Sequence, residues 1–331
     1  MKKMRIAING FGRIGRQFFK LASEEGQIEI VAINDLGNFE NLCYLLEFDS
    51  VYGRYDKKID KKITFLQEAD PSKLPWKDLD IDVVIESTGR FTSYEKARAH
   101  LDAGAKRVVL SAPAKDAGET QTITPNVNTE ALAKSKITTN ASCTTNATTP
   151  LVAILNKKPG ITYALLNTVH GYTAGQNLVD GPIPPSRTDF RRGRAAAWNI
   201  VPTSTGAALA TAKAIPEMLG KFDGLAIRVP VAAGSLLDFT FIAKEKTSKE
   251  EINEILAGEA KKPEWKGIFT VTVHPLVSSD ILKNPHGAIA DLELTRVVGG
   301  ELVKVMAWYD NEWGYSNMLV KHVLSLAPFL K

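Results

Sequence analysis

The chain has 331 residues, enough for two domains with separate cores. Its composition, 44% hydrophobic and 24% charged with a net charge of +4, argues against a disordered chain and against a strongly basic nucleic-acid surface. No stretch reaches the ~18 uncharged apolar residues needed to span a membrane. The apolar run in MKKMRIAING is too short for a secretion signal. The two cysteines, Cys43 and Cys143, are no disulfide framework and fit a reducing compartment. A soluble cytoplasmic protein is the expectation.

In chain order, Met4–Asn9 reads as a buried strand and runs into Gly10-Phe11-Gly12-Arg13-Ile14-Gly15. Ile14, Phe18 and Leu21 then recur at helical spacing. This places G-x-G-x-x-G between a strand and a helix, the context of the dinucleotide fingerprint. Gly10 makes the tight turn, Gly12 lets a pyrophosphate approach, and Gly15 lets helix pack on strand. A second strand, Ile28–Asn34, ends at Asp35, 20 residues after Gly15. An acid there is placed to hold ribose hydroxyls and repels a 2′-phosphate, which favours NAD over NADP. The competing reading of Asp35 is a turn residue.

Phe39–Phe48 reads as a helix with Cys43 on its apolar side, and the lysine-rich Asp56–Leu66 as a short hairpin. Ile81–Glu86, Arg107–Leu110 and Ile137–Asn140 read as strands and Ser93–Ala103 as a helix. Strands alternating with helices predict an α/β, doubly wound parallel sheet, with Ser87–Gly89 and Ser111 on loops facing a cofactor. Then comes Ser142-Cys143-Thr144-Thr145-Asn146 at the start of a helical pattern. Backbone N–H groups at a helix start favour a thiolate, the nucleophilic form. The bland alternative for Cys143 is a small buried hydrophobe.

After Pro150 the pattern changes to longer alternating strands: Ile161–Val169, Leu225–Val231, Leu236–Lys244, Ile268–His274, Ala288–Val298 and Glu301–Tyr309. Gly299-Gly300 reads as a two-residue hairpin turn. Ser248 with Glu251 reads as a capping box. This half is an expected α+β catalytic domain with a mostly antiparallel sheet. His170 closes a strand and is a natural proton partner for a cysteine. Thr173, Arg194, the Ser204-Thr205-Gly206 turn and Arg228 are candidates for holding phosphate. Surface ion pairs compete for the Arg191–Arg194 run. Arg228 interrupts an apolar strand, and a buried charge needs a partner. His274 and His286 lack metal-ligand spacing, so no metal is expected.

A nucleotide fold, a cysteine, a histidine and phosphate-holding groups together point to oxidation of a phosphorylated aldehyde through a thioester. ASCTTN, TVHGYT, GRAAAWNIVPTSTGAA, RVP and WYDNEWGYSN, with GFGRIGR, closely resemble the phosphorylating glyceraldehyde-3-phosphate dehydrogenases, from Met4 to about Val323. The resemblance implies a Rossmann NAD domain of residues 1–142, joined by a C-terminal helix at about 311–331, and a catalytic domain of residues 143–310. It implies Cys143 as nucleophile and His170 as acid and base. Thr173 and Arg228 would hold the substrate phosphate; Ser142, Thr144, Thr205 and Gly206 would receive the attacking phosphate. Arg13, Ile14, Asp35, Ser111 and Asn311 would contact NAD. D-Glyceraldehyde 3-phosphate, inorganic phosphate and a homotetramer follow from the same likeness, with no membrane and no dedicated nucleic-acid site. Erythrose-4-phosphate dehydrogenase, which ends in hydrolysis, is the alternative; a non-catalytic nucleotide- or RNA-binding relative comes third. The chain departs from the family at Ala147 and Ala69, in a shorter Arg54–Leu66 region and in a longer Asp180–Asp189 loop.

Overall fold

The computed structural model describes residues 2–116, 120–184 and 188–330. Residues 185–187 of the Asp180–Asp189 loop thus lie outside the described residues. The chain divides into two compact units, one made of residues up to Ser142 together with those from Ser316 onward, the other Cys143–Tyr315.

The first unit is built on parallel strands β1 (Met4–Asn9), β2 (Ile28–Asn34), β5 (Thr64–Leu66), β6 (Val83–Glu86), β7 (Arg107–Leu110), β8 (Gln121–Thr122) and β9 (Ile137–Thr139). Among the described residues they form one seven-stranded sheet in the order β5-β2-β1-β6-β7-β9-β8. Every pairing in it is parallel. The strands are buried on both faces, which is why they read as continuous apolar runs instead of alternating ones. Helices α1 (Arg13–Ala22), α2 (Phe39–Glu47) and α3 (Tyr94–Asp102) connect them. On α1, Phe18, Phe19 and Ala22 are buried in the core with Ile6, Ile8 and Ile33. Asn38 caps α2 by accepting from the Asn41 amide at 2.9 Å. Leu319, Val320, Val323 and Leu326 of the C-terminal segment join the same core.

The expected Asp56–Leu66 hairpin is not formed. Thr64–Leu66 pairs in parallel with β2 at the sheet edge, and the only hairpin among the described residues nearby is the tiny β3 (Phe48–Asp49) with β4 (Gly53–Arg54). Three residues carry too little periodicity to separate an edge strand from a hairpin arm. The two-residue β8 lies outside β9, so Ile137–Thr139 is not the edge strand of the sheet. Cys43 is half-buried, while Leu42 and Leu46 carry the buried face of α2.

The second unit holds α4 (Cys143–Leu155), β10 (Ile161–Gly171), β11 (Val201–Ser204), α5 (Ala207–Ala214), β12 (Phe222–Val229), β13 (Ser235–Ala243), α6 (Lys249–Ala260), β14 (Phe269–Thr272), β15 (Ala288–Val298) and β16 (Leu302–Tyr309), and the start of α7 (Trp313–Leu324). Its sheet runs β11-β12-β10-β13-β16-β15-β14. Most pairings are antiparallel; β10 with β12 and β14 with β15 are parallel. Along β10, even-numbered residues from Ala164 to His170 are buried, while Tyr163 and Leu165 are exposed. One sheet face is therefore covered and the other is open. Helix α5 was missed in the sequence because AALATAKA has no apolar stripe to reveal it.

Two turn readings change in detail. Gly299 and Gly300 both have positive φ, 63° and 76°, as a primed turn requires. Val298 nevertheless pairs with Leu302, so the connection has three residues, including Glu301. Ser248 caps α6 through the Glu251 amide at 3.1 Å. The Glu251 carboxylate turns instead to the Thr247 hydroxyl (3.0 Å) and to Lys158 (2.8 Å), so the capping box is half made.

Candidate functional site

Cys143 opens α4, and its Sγ lies 3.3 Å from His170 Nε2 at the end of β10. The sheet supplies the third member. β10 and β12 are parallel neighbours in which His170 and Arg228 are register partners. Arg228 Nη1 lies 2.7 Å from His170 Nδ1 and donates to the Gly171 carbonyl at 3.0 Å. That carbonyl is also 2.6 Å from His170 Nδ1. The two neighbours make opposite demands on Nδ1: Gly171 O takes a proton from it, whereas a guanidinium N–H can only donate to it. Only the tautomer with its proton on Nδ1, given to Gly171 O, turns the Nε2 lone pair to the thiol, as a general base requires.

Electrostatics correct one expectation. Burial pushes the Cys143 thiol up, not down; the Arg228 charge and hydrogen bonds from the Thr144 hydroxyl and amide pull it part of the way back. Burial and then the Arg228 charge push His170 down to about 3, against the Gly171 carbonyl, with Arg192 adding a smaller push. Burial thus favours the neutral form of both the thiol and the imidazole. The helix start does favour the thiolate, but desolvation outweighs it.

Thr144 is buried, and its hydroxyl lies 3.0 Å from Tyr309 Oη, which is 2.6 Å from the Thr168 hydroxyl. Burial pushes the Tyr309 phenol far up. Its ring meets His170 edge-on, with centroids 5.9 Å apart. Sequence reasoning missed Tyr309. The signal was there: Val303, Val305, Ala307 and Tyr309 alternate on one buried face, ending on the one polar group.

The other candidates are distributed as follows. Thr173 is half-buried just beyond β10. Thr205 and exposed Gly206 form the start of α5, where the Thr205 hydroxyl accepts from the Ala207 amide at 3.2 Å. β11, which leads into that turn, pairs with β12 so that Val201 is opposite Arg228. Arg194 makes an exposed ion pair with Asp180 at 2.8 Å, and Arg191 one with Asp189 at 2.9 Å. Arg192 instead turns its Nε to Thr203 at 3.1 Å. Ser142 is half-buried, next to Ala141 with a left-handed φ of 54°. Asn311 Oδ1 accepts from the Gly234 amide (2.9 Å) and the Ser235 hydroxyl (3.0 Å). Its Nδ2 is buried without a partner among the described residues, a donor left for an acceptor.

In the first unit a cleft of about 240 Å³ opens at the carboxyl ends of β2, β1 and β6, where the strand order reverses. Its geometry fits a nucleotide pyrophosphate. Gly10 has φ 96°, and a Cβ there would sit 2.6 Å from the Thr88 amide nitrogen. A Cβ at Gly15 would sit 2.1 Å from the Gly10 carbonyl oxygen, so α1 packs against the turn only with glycine present. Gly12 faces open space. Asp35 accepts from the Phe11 amide (2.6 Å) and the Gly37 amide (2.8 Å), holding the glycine turn. Arg13 is paired with buried Asp49 at 2.8 Å, Ile14 packs on the core, and the Ser111 amide bonds Glu86 O at 2.9 Å. No cluster of three or more metal-ligating side chains occurs among the described residues, and no helix among them is long and apolar enough to cross a membrane.

Comparison with known proteins gives the same division of labour. Residues 4–94 match the family model described as glyceraldehyde 3-phosphate dehydrogenase, NAD binding domain, and residues 142–311 match that of its C-terminal domain. The chain is 48% identical to glyceraldehyde-3-phosphate dehydrogenase of Mycolicibacterium smegmatis, over 96% of each chain. It is 46% identical to glyceraldehyde-3-phosphate dehydrogenase 1 of Streptomyces avermitilis, over 99% of each. It is 42% identical to glyceraldehyde-3-phosphate dehydrogenase 2 of Bacillus subtilis, over 99% of this chain and 98% of the relative. With the glycine turn in one unit, the cysteine and histidine in contact in the other, and likeness along nearly its whole length, the chain belongs to the glyceraldehyde 3-phosphate dehydrogenase family.

Proposed function

We propose that the protein oxidises D-glyceraldehyde 3-phosphate with NAD and inorganic phosphate to 1,3-bisphosphoglycerate, reversibly. The observation that carries the reading is the 3.3 Å contact between Cys143 and His170, with Arg228 locked beside it. His170 Nε2 takes the thiol proton as Cys143 Sγ bonds to the aldehyde carbon. His170 passes that proton to the former carbonyl oxygen, giving the hemithioacetal hydroxyl, and later takes it back as the carbon loses hydride and becomes a thioester. A bound NAD would supply the hydride acceptor. Inorganic phosphate then attacks the thioester carbon, the C–S bond breaks, and the Cys143 sulfur recovers its proton.

Arg228 has charge to spare for an anion: its Nε is buried without a partner among the described residues. With Thr173 it is assigned to the substrate phosphate. Ser142, Thr144, Thr205 and Gly206 are assigned to the attacking phosphate, with Arg194 as a further phosphate-binding candidate. Gly10, Gly12, Arg13, Ile14, Gly15, Asp35, Ser111 and Asn311 are assigned to NAD, and the cytoplasm to the place of work. The test is NADH formation from D-glyceraldehyde 3-phosphate with and without phosphate, beside erythrose 4-phosphate. Turnover that requires phosphate and prefers the triose is expected. Turnover indifferent to phosphate, or faster with the four-carbon sugar, would move the assignment to the hydrolytic relative.

The working assembly is a homotetramer in this reading. The open face of the second sheet carries exposed Tyr163, Leu165, Leu225, Ile242 and Leu302, and Trp198 is 87% exposed. Apolar surface on that scale supports burial against further copies. Sedimentation should give a single species near four times the chain mass, and Leu165→Glu should shift it to smaller species. A monomeric wild type would refute the assembly and leave the chemistry standing.

A further inference from the structure

We propose that His100 is a positioning residue for the nucleotide cleft, holding both of its walls through a buried line of hydrogen bonds that converges on the Glu86 carboxylate. The inference rests on reading that cleft as the NAD site.

Three adjacent parallel strands, β2, β1 and β6, end in Asn34, Asn9 and Glu86. These are register partners, so they form a row across the sheet edge, and all three are buried. Asn34 Nδ2 donates to Asn9 Oδ1 at 2.6 Å, and Asn9 Nδ2 donates to Glu86 Oε2 at 2.6 Å. A second line arrives from the other side. Trp76 Nε1 lies 3.0 Å from His100 Nδ1. An indole N–H can only donate, so Nδ1 is the acceptor and the ring proton sits on Nε2. That nitrogen faces Glu86 Oε2 at 3.2 Å. Both lines thus run donor to acceptor and meet on one carboxylate.

The two ends of the arrangement are the walls of the cleft. Glu86 Oε1 accepts from the Thr88 amide at 2.9 Å and from the Thr88 hydroxyl, fixing the turn after β6. Asn34 grips the opposite wall: its Nδ2 donates to Glu68 O at 2.9 Å and its Oδ1 accepts from the Glu68 amide at 2.9 Å. Asn9, Asn34, Glu68 and Thr88 line the cleft; Trp76 and His100 are fully buried behind it. A carboxylate at this depth is tolerated only when its lone pairs are filled. Asn9, His100 and the two Thr88 groups fill them. Without the His100 donor, Glu86 would have to turn toward other donors and release Thr88 or Asn9. The effect should fall on the cleft and leave the chemistry at Cys143 alone.

His100→Phe in the full-length protein tests this with two readouts. In the nucleotide-free protein, amide hydrogen exchange at Thr88 and Glu68 is expected to quicken by about tenfold. The NAD dissociation constant, measured by calorimetry, is expected to rise about tenfold, with kcat at saturating NAD and the triose phosphate KM within about twofold. His100→Gln returns an amide donor near the Nε2 position and should recover most of both. Unchanged exchange and unchanged NAD affinity in folded His100→Phe would overturn the proposal, as would equal damage from Phe and Gln. If His100→Phe does not fold, the comparison passes to His100→Gln, which must keep the Thr88 protection, and Glu86→Gln, which must lose it; the reverse pattern overturns it. A wild type that fails to bind NAD would sink the cofactor reading, while the exchange data would still decide the role of His100.

Discussion

Cys143→Ser is expected to lower kcat/KM for the aldehyde by on the order of 10⁴-fold or more while the protein stays folded and retains NAD. A hydroxyl in place of the thiol keeps the size of the group almost unchanged at the start of α4. It changes the acidity and the nucleophilicity. The site already works against ionisation, because burial pushes even the thiol up. A serine hydroxyl, far less acidic than a thiol at ~8.5, would not be ionised there at any working pH. It would also be a poorer leaving group from the acyl stage. Retention of more than about a hundredth of wild-type turnover would remove Cys143 from the role of nucleophile.

His170→Asn carries the second large effect, a loss of about 10²- to 10⁴-fold in kcat. It also gives a signature that a damaged fold would not. With burial and Arg228 pushing His170 down to about 3, the imidazole is unprotonated, and so a base, at every pH above that value. The thiol, pushed up, is protonated at neutral pH. With His170 as the base that takes the thiol proton, alkylation of Cys143 by iodoacetamide at pH 7 should be at least about tenfold slower in the variant. Near pH 10 hydroxide does the same work without help, and the two rates should converge. Equal rates at pH 7 would show that cysteine and histidine are not coupled.

The sequence spoke most clearly where one residue type is required by backbone geometry. Gly10 and Gly15 could be assigned from spacing alone, because a Cβ at either would collide with backbone. Strands with three or more consecutive buried residues, such as Val83–Glu86 and Arg107–Leu110, were visible as apolar runs. Thr64–Leu66 and Gln121–Thr122 were not, since two or three residues at a sheet edge owe their conformation to the neighbouring strand. Arg228 stood out as a charge in an apolar strand, but its partner did not. His170 is 58 positions away, and only the parallel register brings them together. The direction of the Cys143 shift was misjudged for a similar reason: helix position is local and can be read, whereas desolvation depends on what the rest of the chain packs around the sulfur.

The pairing of His170 with Arg228 across two parallel strands also sets what lineages and engineers can alter. Insertions in the long connection between β10 and β12 leave the relative placement of base and guanidinium untouched, because the ladder defines it. A single-residue deletion inside either strand is different. It turns the following side chains to the opposite face of the sheet and carries one member of the pair away from the other. The sheet works as a ruler between the imidazole and the guanidinium: their spacing survives a change in the length of the connection but not a change in the number of residues within either strand.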